Sequence, residues 1–223
     1  MSVFNFDRRI IDASEYPWGV GVEIPTLIGS FIDSNSASDT SHTLTVPTHS
    51  AGDTLVAVLM WRLPHADITA PTGWTLHTGN LLSIMVVDHR LHVYTKIATD
   101  SEPANYTWSA STAVRNCGLM VSVRNFKRIF NIVESYGNGV TATIATAKNR
   151  LNLTVFTWLY ADTSAETYSQ NSDDGLLTQI SDSPTANARI SGGHVNSQTI
   201  VTSTHNAAST DNNPNHSGIC IQM

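Results

Sequence analysis

The sequence predicts an all-β protein, a sandwich of two antiparallel sheets, and three observations support that prediction. Short apolar runs of strand length alternate with polar turns along most of the chain. Charged residues make up only 13% of the 223 residues, and Ser, Thr and Asn take their place. Lys, which solvated helices favour, occurs only at Lys96, Lys127 and Lys148. A chain of this length can bury a core large enough to fold without disulfides or metals.

Residues 1–24 do not share this pattern and predict an irregular N-terminal arm. Pro17, Gly19 and Gly21 interrupt any regular element, and one short turn of helix is expected around residues 6–13. The large apolar side chains of the arm need to be buried, either on their own domain or on a partner protein. Docking on a partner is our hypothesis, and it assigns the contact to Phe4, Phe6, Arg8, Arg9, Ile10, Tyr16 and Trp18.

Residues 25–223 predict the sandwich itself, and its first half is the clearer one. Thr54–Trp61 is an apolar run without charge, which predicts a central strand covered on both faces. Leu91–Ala98 alternates with period two, so Leu91 and Val93 share one face and His92 and Tyr94 the other. The expected strand segments of this half are Leu27–Ile32, Thr43–Val46, Thr54–Trp61, Leu81–Val87, Leu91–Ala98, one beginning at Tyr106, and Cys117–Val123.

Two glycine turns punctuate this half. Gly52, followed by Asp53, and Gly73, within Pro71–Trp74, both suit tight turns because glycine accepts backbone angles that other residues avoid. We expect Cys117 to be a core residue, and both cysteines to be reduced thiols. We also expect the tryptophans near strand ends to seal the sandwich core: Trp61, Trp74, Trp108 and Trp158.

The second half repeats the first in outline. Residues 151–160 match residues 54–61 in their apolar character and in a late tryptophan, and both halves end on a strand that carries one cysteine. Gly192-Gly193 is interpreted as a turn. The sequence therefore predicts two pseudo-equivalent halves, about 25–126 and 140–223, folded together. The expected strands of this half are Thr141–Thr146, 151–160, Ala188–Ile190, Val195–Thr204 and Gly218–Met223.

These segments also carry a resemblance to a known family. LTVP at 44–47, AGDTLVAVL at 51–59, PTGWTL at 71–76 and LHVYTKIATDSEPANYTWSAS at 91–111 precede a strand that ends in VRNF at 123–126. In these segments the chain resembles β-sandwich proteins that recur in bacteriophage virion genes and in some bacterial surface proteins. The likeness covers residues 43–126 well and residues 140–223 only schematically, and the arm falls outside it.

The resemblance implies a jelly-roll-like sandwich used as a structural or adhesive module. We therefore expect a non-enzymatic structural protein of a phage virion, a decoration or accessory protein on the head or tail surface, attached through its arm. Its partners would be capsid or tail subunits and further copies of itself, with a trimer preferred by analogy. It would be made in the host cytoplasm and not secreted, since no signal segment is visible. The alternative is a receptor- or glycan-binding module of a tail fibre.

Other chemistry has little support in the sequence. The net charge of −6 argues against nucleic-acid binding, and no apolar run approaches the ~20 residues that span a bilayer. His89 and His92 would point to opposite faces of one strand, and His205 and His216 flank a loop that lacks the spacing of a calcium site. No catalytic motif is present, so no enzyme, metal or cofactor is expected. Any recognition surface is expected at Tyr160, Tyr168 and the loops 161–174 and 205–217.

Overall fold

The computed structural model of the chain describes residues 25–34, 38–62, 67–84, 87–138, 141–145, 150–159, 169–172, 178–182, 188–197, 204–208 and 215–223. Within these residues the chain forms sixteen β-strands, in two consecutive sets of eight. The first set is β1 (Thr26–Ser34), β2 (Asp39–Thr45), β3 (Thr54–Arg62), β4 (Ile68–Thr69), β5 (Thr75–Ile84), β6 (Val87–Ile97), β7 (Asn105–Val114) and β8 (Asn116–Arg124). The second set is β9 (Asn131–Asn138), β10 (Thr141–Ala145), β11 (Arg150–Leu159), β12 (Ser169–Ser172), β13 (Thr178–Asp182), β14 (Ala188–Ser197), β15 (Thr204–Ala208) and β16 (Asn215–Gln222).

The strands form four antiparallel sheets, which we number I to IV. In the first set, sheet I has the order β2-β7-β4 and sheet II the order β1-β8-β3-β6-β5. In the second set, sheet III has the order β13-β14-β11-β16-β9 and sheet IV the order β10-β15-β12. The all-β, antiparallel sandwich expected from the sequence is therefore confirmed, although it contains four sheets where we expected two.

Each set has the nested pairing of a jelly roll. In the first set β1 pairs with β8, β2 with β7 and β3 with β6, which is the pattern produced when one long hairpin folds over on itself. Strand β5 departs from that pattern, because it pairs with β6 at the edge of sheet II. In the second set β9 pairs with β16, β10 with β15 and β11 with β14, and β13, like β5, lies at the edge of its sheet and pairs with β14. The two sets thus have the same strand order.

The four sheets are stacked in the order I, II, III, IV. Sheet II lies between sheets I and III because its central strands are apolar on both faces. Along β3, Val56 and Val58 face a core shared with sheet III, whereas Leu55 and Leu59 face a separate core shared with sheet I. The prediction of a central strand buried on both faces is confirmed, since eight of the nine residues of β3, all except Arg62, are buried. Strands β10 and β12 of sheet IV lie against β16 and β14 of sheet III.

Several boundaries differ from those expected. The second set begins with β9 at Asn131, earlier than the expected residue 140, because β9 pairs with the last strand of the chain. Gly192 and Gly193 are not a turn, since both lie within β14 and pair with β11. The expected loops 161–174 and 205–217 contain Ser169–Ser172 and parts of β15 and β16. These strands are polar, so hydrophobic periodicity did not reveal them.

No helix within the described ranges has the length and the apolar character needed to cross a membrane.

Candidate functional site

A cleft of about 690 Å³ lies at one end of sheet II, beside the connector between the two strand sets. Its volume is within the range of roughly 300–1,000 Å³ that is usual for small-molecule sites, which often lie where two units of a fold meet. Strands β3, β5 and β6 contribute the floor, and Phe126 and Lys127 of the connector contribute a wall.

The floor continues the face of sheet II that packs on sheet III. Along β3, Val56 and Val58 lie in the shared core, and Thr54 is the next residue on the same face. Along β6, Val93 lies in that core and Thr95 follows it in the same way. The row of side chains therefore changes from valine to threonine where the face leaves the core. The floor of the cleft carries hydroxyl groups in place of an apolar surface.

Two glycine turns border the cleft. Gly52 and Gly73 have φ angles of 88° and 86°, which a residue with a Cβ rarely adopts. A Cβ on Gly52 would meet nothing within 4 Å, so the backbone angle alone requires glycine there. A Cβ on Gly73 would lie 3.4 Å from Cε of Lys96. At these two positions the border of the cleft carries no side chain.

The first of these turns is fixed by an ion pair. Arg124 at the end of β8 donates from Nε to Oδ1 of Asp53 over 3.0 Å and from Nη2 to Oδ2 over 3.1 Å. The backbone N–H of Ser50 donates to the same carboxylate over 2.8 Å. The hydrogen bonds from Arg124 lower the pKa of Asp53 below its ordinary value and outweigh the opposing effect of burial. The turn therefore keeps its place against β8.

The polar groups of the floor can both donate and accept hydrogen bonds. The imidazole of His77 lies 2.6 Å from the hydroxyl of Thr95, measured from Nε2 to Oγ1. Burial lowers the pKa of His77 below 6.5, so the ring is neutral at pH 7 and has one donor and one acceptor nitrogen. Thr54 and Thr75 add two further hydroxyls, on β3 and β5.

A buried carboxylate next to the cleft neutralises one of its two lysines. The side chain of Glu102 is 1% exposed, and its Oε1 accepts hydrogen bonds from Nζ of Lys96 at 2.5 Å and from both N–H and Oγ1 of Thr99. Tyr106 donates its hydroxyl to the other oxygen. Burial by itself would raise the pKa of Glu102, but these donors lower it to about 2. Glu102 therefore fastens the loop between β6 and β7 and offers no free oxygen to the cleft.

The remaining lining residues are two apolar side chains and a second lysine. Ile97 is 69% exposed, an unusual degree for an isoleucine, and Phe126 packs partly against the core between sheets II and III. Lys127 is exposed, and its ammonium group has no ion-pair partner among the described residues. No Asp or Glu belongs to the described lining, although the whole chain has a net charge of −6.

Two histidines and a cysteine of the first set are enclosed within the fold. His42 is buried between sheets I and II, where Nδ1 lies 2.6 Å from Oδ1 of Asn116. His92 stacks on Tyr94, and burial lowers its pKa to about 4. Within the described ranges no three His, Cys, Asp or Glu side chains are grouped so that they could hold a metal ion. Cys117 belongs to the apolar core as predicted, and burial raises its pKa well above the ordinary value.

Most of the residues assigned to a site from the sequence are not among those that the structure describes. The arm residues Phe4, Phe6, Arg8, Arg9, Ile10, Tyr16 and Trp18 lie outside the described residues, as do Tyr160 and Tyr168. The prediction that tryptophans seal the core is confirmed for Trp61 and Trp108, which are fully buried. Trp74 is partly buried and makes an edge contact with Trp108 at a centroid distance of 5.0 Å. The side chain of Trp158 is outside the described part.

Sequence reasoning did not find the cleft because its residues come from four separate segments. Gly52 and Gly73 were interpreted correctly as turns, but nothing in the sequence indicates that the two turns border one cleft. The only local signal is Ile97, an apolar residue at the end of an alternating strand that is followed by a polar loop.

Comparison with known proteins adds no assignment, since no family model, no curated protein and no solved structure matches the chain.

Proposed function

We propose that this chain is a non-enzymatic structural protein of a phage virion, a decoration or accessory protein on the head or tail surface. The observation that carries the proposal is the duplicated jelly-roll strand order, with two eight-stranded sets joined face to face through one apolar core. Such a stack of sheets is a rigid block that presents polar turns and exposed sheet faces on its outside. These are properties that suit a scaffold.

The described charged groups are consistent with this role. Glu102 and Asp53 both fasten loops to strands, and His42 is enclosed between two sheets. None of the three has the exposed, activated arrangement that a nucleophile or a general base requires. These three side chains make their hydrogen bonds and ion pairs within the fold and stabilise it.

Attachment is assigned in this proposal to the arm, residues 1–24. Its large apolar side chains would each gain roughly 1.5–3 kcal/mol on complete burial against a neighbouring subunit. Self-association, with a trimer preferred by analogy, would complete the decoration. Few charges have to be desolvated when neighbouring copies pack, because charged residues are only 13% of the chain.

The test uses particles purified from the cells that encode the chain. Mass spectrometry of gradient-purified particles should find the full-length chain at a fixed copy number, and immunogold labelling should place it on the head or the tail. A chain lacking residues 1–24 should keep the melting temperature of the full-length protein and fail to join the particles. Light scattering reports the oligomeric state of both.

Two results would reject parts of the proposal. Particles that contain none of the chain would reject the virion assignment. A truncated chain that still joins particles at the normal copy number would reject attachment through the arm, and one that unfolds would show that the arm belongs to the core.

The second candidate function is a recognition module of a tail fibre, and the cleft at the end of sheet II favours it. Structural subunits do not need a concave surface that has hydroxyl groups, a free ammonium group and an exposed Ile97. The two candidates differ in location, since a fibre module would be labelled at the fibre tip.

A further inference from the structure

We propose that the cleft at the end of sheet II binds a short oligosaccharide that carries a carboxylate group. The inference deepens the second candidate function, because it names the ligand class of that site. It does not require the chain to be part of a virion.

The floor of the cleft matches the hydroxyl groups of a sugar. Thr54, Thr75 and Thr95 each provide a hydroxyl that can donate or accept, and His77 adds a neutral ring with the same ability. Sugar hydroxyls also donate and accept, so a polyol can satisfy such a surface without bringing an unpaired charge into it. A purely apolar ligand would cover the hydroxyls of Thr54 and Thr75 without offering them a hydrogen-bond partner, which opposes its binding.

The apolar part of the lining matches the C–H face of a sugar ring. Ile97 is 69% exposed and Phe126 is only partly buried, so both can exchange water contacts for contacts with a ligand. They lie in the same cleft as the threonines, so the lining offers both apolar and polar surface. A pyranose ring also presents both, through its C–H face and its hydroxyls.

The charge of the cleft selects an acidic sugar. Lys96 is neutralised by Glu102, whose carboxylate is 1% exposed, so Lys127 provides the charge that a ligand can reach. No described lining residue is acidic, so a carboxylate entering the cleft would meet an ammonium group without a competing anion. In a protein with a net charge of −6, this absence of acidic residues from the described lining distinguishes the cleft from the chain as a whole.

The experiment is an NMR titration of the full-length, ¹⁵N-labelled protein at constant ionic strength. The probes are 3′-sialyllactose and trigalacturonate, which present the carboxylate on a sialic acid and on uronic acids, and lactose is the neutral control. We expect the amides of Gly52 and Gly73 to shift with at least one acidic probe. Lactose should bind about tenfold more weakly than that probe, which corresponds to about 1.4 kcal/mol for one charge-assisted contact. The better of the two acidic probes identifies the type of acid.

Matched variants assign the binding to the cleft. Lys127→Gln should weaken binding of the acidic probe about tenfold, whereas Arg128→Gln, which removes the neighbouring positive charge outside the lining, should leave it unchanged. Thr75→Val should weaken binding and Thr69→Val, on sheet I, should not. All four positions are exposed, so folding should be retained, and the undisturbed amide spectrum checks it.

The proposal is wrong if neither acidic probe shifts Gly52 or Gly73, if lactose binds as well as the acidic probes, or if Lys127→Gln binds like the wild type. None of these outcomes affects the virion proposal, since that is decided by the presence of the chain in particles. Likewise, its absence from particles would leave the sugar titration unaffected.

Discussion

Single charged side chains hold the loops of the first strand set in place. The carboxylate of Glu102 accepts from Lys96, Thr99 and Tyr106, and the carboxylate of Asp53 accepts from Arg124 and Ser50. In both places a nearly buried anion gathers donors from a strand and from a loop. Such groups stabilise the fold only while they are ionised, so they make stability dependent on pH.

Replacing Glu102 by Gln should lower stability at pH 7 by roughly 3 kcal/mol, since the folded protein holds this carboxyl at a pKa of about 2 against the ordinary 4.5. The wild type should lose this contribution as the pH falls from about 4.5 to 2. Over this range the carboxyl group of Glu102 takes up a proton in the unfolded chain but stays ionised in the folded protein, which favours unfolding. The variant should lose less stability over that range. Urea unfolding at several pH values measures both effects.

Asp100→Asn, an exposed change in the same loop, is the control and should alter neither the stability nor its pH dependence. A Glu102→Gln protein as stable as the wild type would contradict the role of the carboxylate.

His92 predicts a second pH dependence at higher pH. Burial lowers its pKa from 6.5 to about 4, so the unfolded chain binds a proton between these values and the folded protein does not. Stability should therefore rise with pH across the window from 4 to 6.5, by roughly 3 kcal/mol from this one group. His92→Gln should reduce the slope of stability against pH in that window, measured by thermal unfolding. An unchanged slope would mean that other histidines, such as His42, account for it.

Strands of neighbouring sheets approach each other closely at Gly118. This residue lies in β8 of sheet II, and a Cβ built there would be 2.8 Å from Nε2 of His42 and 3.1 Å from Cδ1 of Leu44 in β2 of sheet I. His42 has little freedom to move, because its other ring nitrogen lies 2.6 Å from Oδ1 of Asn116. The packing of sheet I on sheet II therefore requires a residue without a side chain at this position.

Gly118→Ala should thus destabilise the protein by about 1–3 kcal/mol through overpacking. Gly52→Ala is the matched control, since its Cβ would meet no atom and only its positive φ opposes the change, at about 1 kcal/mol. Urea midpoints at equal slope compare the two variants. If Gly118→Ala is the more stable of the two, then sheets I and II are not in the close contact that the structure gives.

The two strand sets share one core, and this joins their stabilities. Val58 of the first set and Leu153 of the second are both fully buried in the same apolar cluster. Separation of the sets would expose both faces of that interface to water. Sheet II has its other face buried against sheet I, so its central strands β3 and β8 have no solvated face along most of their length. The whole molecule should accordingly unfold as one unit.

One cysteine in each set offers a site-specific test of this cooperativity. Cys117 and Cys220 are buried thiols, and burial raises the pKa of Cys220 to about 12, so neither thiol should react with alkylating agents in the folded state. Pulsed alkylation across a urea gradient should label both at the same midpoint. Leu153→Ala should lower that midpoint for both, by the equivalent of about 2–5 kcal/mol. Different midpoints for the two thiols would show that the sets unfold independently.

Much of the fold could be predicted from the sequence because apolar strands have a local signature. The continuous apolar run at Thr54–Trp61 indicated burial on both faces, and the alternation at Leu91–Ala98 indicated which side chains share a face. Both glycine turns were recognised from residue types that suit positive φ. The polar strands β12, β13 and β15 could not be found in this way, since their side chains show no hydrophobic period. Gly192 and Gly193 were predicted to form a turn because nothing in their local sequence indicates a strand. Their place in β14 depends on pairing with β11.

The sequence by itself determined the apolar strand segments, the two turns at Gly52 and Gly73 and the low charge of this protein, because these depend on neighbouring residues. Only the tertiary structure decided that the sixteen described strands form four sheets in two jelly-roll sets, since strands such as β1 and β8 pair across most of a set. The existence of the cleft was likewise decided only by the tertiary structure. Thr54, Thr75, Thr95 and Lys127 meet only after β3, β5 and β6 have paired and the connector has passed over them. A site assembled from such distant segments has no spacing that a sequence pattern could reveal.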